Sequence, residues 1–172
     1  MPNPDYLLSM HGICKNFGAV KANIDVDLNL SEGDILGLLG ENGAGKTTLM
    51  NILFGTYQAD KGKIVISGKQ SNIHSTADAL GLGIGMVHQH FHLVHRHTVL
   101  ENLLVGESGR MGILDISGAN KRLLEIGQRF GLKLNPNSIV SELTIGEQQR
   151  LEIIKALFGD AKILILDEPT AV

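Results

Sequence analysis

Gly40-Glu41-Asn42-Gly43-Ala44-Gly45-Lys46-Thr47-Thr48 is the stretch on which the reading of this chain turns. It spells G-x-x-x-x-G-K-T, the pattern of a phosphate-binding P-loop. Upstream, Asp34-Ile35-Leu36-Gly37-Leu38-Leu39 is an apolar run that suits a buried parallel strand. Downstream, Leu49-Met50-Asn51-Ile52-Leu53 continues with helical spacing. Strand, glycine loop and helix are the context the pattern requires, and they argue against a chance glycine-rich turn. Gly40, Gly43 and Gly45 allow a tight backbone and present no side chain to bar a phosphate. Successive N–H groups then line a concave nest at the positive end of a helix dipole. Lys46 adds a full charge for the β- and γ-phosphates, and the Thr47 hydroxyl is placed to ligate Mg²⁺.

A chain of 172 residues is one domain by prior and long enough for a real core. With 43 % hydrophobic and 19 % charged residues it reads as globular and not disordered. A net charge of −3 gives no electrostatic footprint for nucleic acid. Cys14 stands alone, which excludes an internal disulfide framework, fits a reducing compartment and reads as a small core residue. No apolar stretch reaches transmembrane length. Met1-Pro2-Asn3-Pro4-Asp5 lacks the basic and apolar regions of a signal peptide, so the expectation is a cytosolic protein whose membrane role comes through partners.

In chain order, Tyr6 to Lys15 reads as a first strand, and Ile24 to Leu30, alternating with period two, as a half-exposed antiparallel one. Phe17 lies between them. An aromatic near a phosphate loop can stack on a base, and a single aromatic is also an ordinary core residue. Gly62 to Gly68 predicts a further strand, Ser75 to Leu80 a short helix capped by Ser75, and Ile84 to His88 a buried strand ending at Gln89. Thr98 with Glu101 three residues on is a capping box opening another helix. Ser117 to Phe130 is helical and stops at Gly131, and Ser141 to Gly146 leads into a last helix.

Ala161-Lys162-Ile163-Leu164-Ile165-Leu166-Asp167-Glu168 is the second strong signal. Four aliphatics running into Asp167 form a Walker B strand, whose acid sits at the carboxyl end, where α/β folds bind ligands. Asp167 can hold Mg²⁺, directly or through water, and Glu168 is placed to orient or deprotonate an attacking water. A solvated strand end is the competing reading, and the P-loop upstream argues against it.

Four motifs, in this order, resemble an ABC-type ATPase domain: Gly40 to Thr48, Gln89 after its strand, Leu143-Thr144-Ile145-Gly146-Glu147-Gln148-Gln149-Arg150, and Ile163 to Thr170. The third resembles the signature motif that separates this family from other P-loop proteins, and the likeness covers essentially the whole chain. His88-Gln89-His90-Phe91, Thr98 to Asn102 and Asp167 to Val172 look most like ATPase subunits of simple-sugar and nucleoside importers, in which one polypeptide often carries two such domains. The implied fold is α/β. A mainly parallel core sheet is joined by an N-terminal antiparallel β-subdomain and a helical subdomain, at about 90–158, that carries the signature. Residues 1–172 would be one incomplete nucleotide-binding domain, the first of two.

The resemblance also implies roles. Phe17 matches the aromatic that stacks on adenine. Gly40, Glu41, Asn42, Gly43, Ala44, Gly45, Lys46, Thr47 and Thr48 would wrap the phosphates of ATP. Thr47, Gln89 and Asp167 would serve Mg²⁺, with Gln89 reporting to the membrane subunits. Lys46, Gln89 and Glu168 would be catalytic. Thr144, Gly146 and Glu147 would meet the γ-phosphate held by a partner domain. Ile145 stands where many members have glycine and Glu147 where many have glutamine, and both resemble the sugar and nucleoside branch.

The implied partners are integral membrane permease subunits, a second ATP-binding domain and, indirectly, a solute-binding protein, at the cytoplasmic face of the membrane. No nucleic acid is expected. The alternatives are a non-transport ABC ATPase acting on nucleic acid or ribosomes, a P-loop GTPase or kinase, or a fragment that binds ATP without turnover. The family continues past Val172 into a D-loop and a switch histidine, so the chain reads as a fragment in preference to a degenerate ATPase. His88, His90, His92, His95 and His97 crowd one segment without an interleaved cysteine or carboxylate. They read as a loop facing a membrane subunit in preference to a metal site.

Overall fold

The computed structural model describes residues 6–89, 91–105 and 114–167. Two compact units share the chain, 1–84 and 85–172.

The first unit is built on a long hairpin. β1 (Tyr6–Phe17) and β2 (Val20–Ser31) pair antiparallel, from Tyr6 opposite Ser31 to Phe17 opposite Val20. Gly18 and Ala19 close the turn, as a two-residue loop with glycine does in a hairpin. β3 (Lys61–Ile66) pairs with the other edge of β1, and β4 (Lys69–Ser71) folds back on β3, giving the order β2-β1-β3-β4. Leu8, Met10 and Ile13 of β1 are buried with Ile64, Val65 and Ile66 of β3. α1 (Lys46–Leu53) turns Leu49, Ile52 and Leu53 inward. α2 (Thr76–Gly81) is opened by Ser75, whose side chain accepts from the Asp78 N–H, as the cap reading expects.

In the second unit β5 (Ile84–Val87) and β6 (Ile163–Leu166) form a two-stranded parallel sheet. Between them run α3 (Val99–Leu104), α4 (Ile116–Phe130) and α5 (Ile145–Phe158). Their shared core includes Val99, Leu103, Leu123, Val140, Leu151, Ile154 and Phe158. Asn102, fully buried, accepts from Val94 N–H at 2.8 Å and donates to the carbonyls of Val94 and Thr98, both at 3.0 Å. These bonds satisfy a polar side chain that burial would otherwise penalise, and they fix the loop ahead of α3. α4 stops at Gly131, in the left-handed region at φ 71°, where glycine is expected.

The expected strand at Asp34–Leu39 is not formed. These residues have no regular secondary structure, and Ile35 and Leu39 are 100 % and 96 % exposed. A parallel strand takes all its hydrogen bonds and its burial from neighbours, and no described strand pairs with this segment. Apolar content alone therefore does not make it a strand. Cys14 is a second correction. It is half-buried rather than core, and its sulfur accepts from the Asp25 N–H at 3.3 Å.

Candidate functional site

In the first unit the loop from Gly40 to Ala44 is exposed and leads directly into α1. Gly45 is the N-cap residue, at φ 85° and ψ 6°, and no side chain caps the helix. Its first turn holds no acidic residue. The first N–H groups of an α-helix have no partner within the helix, so this terminus offers an anion donors and the positive end of a dipole. Gly45 is needed for shape as well as for φ. A Cβ there would overlap the Ala22 carbonyl oxygen and stand 2.9 Å from Asn23 Nδ2. At Gly43 a Cβ would meet nothing within 4 Å, so its need for glycine comes from its φ of 85°.

Lys46 Nζ folds over this loop and donates to the carbonyls of Gly40, at 2.6 Å, and Glu41, at 2.9 Å. The charge is therefore held over the nest, and a phosphate oxygen competes there with two neutral carbonyls. Those bonds carry a charge on the donor only, and an anionic phosphate oxygen adds one on the acceptor, which favours the exchange. Thr47 is exposed beside it.

Phe17 sits at the tip of the β1–β2 hairpin and is 44 % exposed. The core alternative for this ring is thereby corrected. Its edge meets Tyr57, with ring centroids 5.3 Å apart at 74°, and Lys15 Nζ lies 5.4 Å from its centroid. A ring held by an aromatic neighbour, with surface left open, suits stacking on a base. Phe17→Ala is expected to weaken ATP binding by ~1–3 kcal/mol, the range for base–aromatic stacking. Calorimetry with ATP beside inorganic tripolyphosphate checks it, because only the nucleotide should lose affinity. An equal loss for both ligands would remove the stacking role.

The second unit carries the remaining candidates. Gln89 is exposed just beyond β5, and Asp167 follows β6 directly. The strands are neighbours, and Asp167 N–H donates to the Val87 carbonyl at 3.1 Å. Parallel pairing therefore brings Gln89 and Asp167 to the same end of the sheet. Glu168 and His90 lie outside the described residues. Among the described residues, no group of three His, Cys, Asp or Glu is arranged to hold a metal ion. His88 and His92 instead meet edge to face, with centroids 4.9 Å apart. Burial, then the neighbouring His92, holds the His88 imidazole below its ordinary pKa.

Thr144, Ile145 and Gly146 lie exposed at the start of α5. Thr144 is its N-cap in a full capping box. The Thr144 hydroxyl accepts from Glu147 N–H at 3.3 Å, and the Glu147 carboxylate accepts from Thr144 N–H at 2.9 Å and from its hydroxyl at 2.8 Å. The Thr144 side chain, then its backbone N–H, holds the Glu147 carboxyl below the usual glutamate pKa. Farther along α5, Glu152 accepts from His92 N–H at 2.6 Å and Lys155 donates to the His92 carbonyl at 3.1 Å. The backbone N–H and C=O of one residue after Gln89 are thus both held by side chains of α5. Sequence reading missed this clamp and the contact of Asn23 with the phosphate loop, because each joins residues far apart in the chain.

The site residues present suit a nucleotide with a hard cation. In the first unit the loop supplies backbone donors, one ammonium charge and the Thr47 hydroxyl; in the second, the amide of Gln89 and the carboxylate of Asp167 are oxygen donors of the kind Mg²⁺ prefers. Residues 24–171 match the ABC transporter family. The chain is 48 % identical over 167 residues to the nucleoside import ATP-binding protein NupA of Lactococcus lactis subsp. cremoris (strain MG1363), covering 96 % of this chain and 33 % of that protein. It is 46 % identical over 169 residues to the guanosine import ATP-binding protein NupO of Bacillus subtilis (strain 168), covering 98 % of this chain and 33 % of the relative. The chain thus spans about a third of the length of these relatives. Among solved structures, a dimeric ATP-binding cassette in a post-hydrolysis state, bound to ADP and Pi, superposes with a TM-score of 0.75 at 27 % identity, covering 95 % of this chain and 75 % of that one. With the glycine loop, the terminal strand acid and the signature helix all in place, this chain belongs to the ABC transporter family and has the fold of its P-loop nucleotide-binding domain.

Proposed function

We propose that the chain binds and hydrolyses ATP as the first nucleotide-binding domain of an importer for nucleosides or simple sugars. The observation that carries the reading is the occurrence in one chain of the P-loop with its open, uncapped helix end and of α5, opened by Thr144-Ile145-Gly146. A P-loop alone serves many enzymes, whereas a second exposed set of phosphate donors has a use only where another domain presents its nucleotide. The names of the relatives support import of nucleosides, and the dimeric cassette supports pairing of two such domains.

Within that reading, residues Gly40 to Thr48 hold the phosphates, Lys46 neutralises their charge and Phe17 supports the adenine. Thr47, Gln89 and Asp167 hold Mg²⁺, which when bound offsets the negative charge on the β- and γ-phosphates. Glu168 orients the attacking water. Thr144 and Gly146 serve the nucleotide of the partner domain. Glu147 positions the Thr144 hydroxyl, which must leave the carboxylate to reach a phosphate oxygen. The partners are integral membrane permease subunits, with a solute-binding protein acting through them, and the domain is peripheral at the cytoplasmic face. Among the described residues no helix is long and apolar enough to cross a membrane, so attachment falls to those partners.

Co-expression with integral permease subunits tests this. The chain is expected in the detergent-solubilised membrane fraction with them and in the soluble fraction without them. Recovery with ribosomes or nucleic acid, and none with the permease, would replace the importer reading with the non-transport one.

A further inference from the structure

We propose that Asn23, on β2, is a positioning residue for the phosphate loop and aims the backbone N–H of Lys46 at the phosphates. The inference rests on the P-loop being the nucleotide site. Asn23 is 6 % exposed, and its Nδ2 donates to the Gly45 carbonyl at 3.2 Å. The same carbonyl accepts from Leu49 N–H at 2.9 Å, the first bond of α1. Both lone pairs of that oxygen are therefore engaged, and the Gly45–Lys46 peptide cannot rotate without breaking one bond.

In a planar trans peptide the C=O and the following N–H point in opposite directions. Holding the Gly45 carbonyl toward Asn23 and the helix therefore turns the Lys46 N–H the other way. Hydrogen bonds accepted by a carbonyl also polarise the attached N–H, which strengthens it as a donor. The Ala22 carbonyl, next in sequence to Asn23, stands where a Gly45 side chain would be, so β2 presses on the loop at this one peptide.

The state of Asn23 argues against a purely structural role. Its Oδ1 is buried and accepts no hydrogen bond among the described residues. A buried amide satisfied on only one side costs stability, which a leucine of similar volume would not. What asparagine supplies in return is the bond to Gly45. The neighbouring residues on β2 lead to the Phe17 turn, so one strand supports both the base end and the phosphate end of the site.

The test compares the full chain with Asn23→Leu, using MgATP and inorganic tripolyphosphate in calorimetry. A single lost hydrogen bond corresponds to roughly a fivefold rise in Kd, expected equally for both ligands. The melting temperature should stay level or rise. The Lys46 amide proton should shift upfield in ¹⁵N-resolved spectra, which a merely structural role would not produce. An unchanged Kd for tripolyphosphate in folded Asn23→Leu overturns the proposal. Lys46→Ala is the companion variant. If it too leaves tripolyphosphate affinity unchanged, the P-loop reading itself has failed and takes the proposal with it. Should Asn23→Leu not fold, the wild-type Asn23 side-chain amide decides. Slow exchange and a shift on adding tripolyphosphate support the role, and fast exchange without a shift overturns it.

Discussion

Lys46→Ala is expected to raise the Kd for MgATP by ~10²-fold in calorimetry. A hydrogen bond to a charged group contributes ~1.5–3 kcal/mol, and each 1.4 kcal/mol is about tenfold in affinity. Two effects add here. The ammonium proposed to face the β- and γ-phosphates is gone, and Gly40 to Thr48 contains no other lysine or arginine. The bonds from Nζ to the Gly40 and Glu41 carbonyls are lost as well, so the loop itself is less fixed before a ligand arrives. α1 should survive, because Leu49, Ile52 and Leu53 still bury its inner face and alanine is a good helix former. A melting temperature within a few degrees of wild type, together with lost binding, is the expected pair of results. Equal ATP affinity for the two proteins would refute the assignment of the phosphate site.

The second large effect concerns turnover. The isolated chain is expected to hydrolyse ATP poorly, with a rate that climbs with protein concentration. Charge developing on a transferring phosphoryl group is stabilised by donors aimed at it, and removing one such donor commonly costs ~10²–10³ in rate. Thr144 and Gly146 are exposed at the start of α5 and are the donors proposed to come from the partner domain. In the free domain the Thr144 hydroxyl is engaged by Glu147 at 2.8 Å, so dimerisation has to exchange that bond for one to phosphate. Glu168→Gln should keep ATP binding, slow hydrolysis and accumulate an ATP-bound dimer. Only the water-directed carboxylate is removed, while the P-loop and Asp167 remain. Steady-state phosphate release combined with light scattering reads both quantities. A monomer turning over ATP at a rate independent of its concentration, unaffected by Glu168→Gln, would exclude the two-domain mechanism.

Features set by residues within a few positions of one another were legible in the sequence. The Thr98–Glu101 capping box, the Ser75 cap and the Gly131 stop all appear where the residues place them, and the Thr144–Glu147 box found at the start of α5 is equally local. Each is a contact across one helical turn, so its partners are present as soon as the turn forms. The P-loop is legible for the same reason, since its glycines and lysine act on their own backbone. The β1–β2 hairpin follows from period-two alternation around Gly18.

Other features were decided by tertiary structure. Ile35 to Leu39 has the composition of a buried strand, yet a strand exists only where a neighbour supplies hydrogen bonds and cover, and none of the described strands does so. Phe17 has the identity of a core residue, and its position at a hairpin tip beside Tyr57 keeps it at the surface. Asn23 is unremarked in the sequence as one polar residue in a strand, and it meets the glycine loop only because β2 passes the Gly45 carbonyl. The clamp of Glu152 and Lys155 on His92 likewise joins residues that only the packing of α5 brings together. The sequence alone determined where helices begin and which glycine loop leads into α1, because those choices are local. Which strand is covered, which ring is exposed and which side chain holds the loop depended on contacts between distant segments, and only the folded chain brings those together.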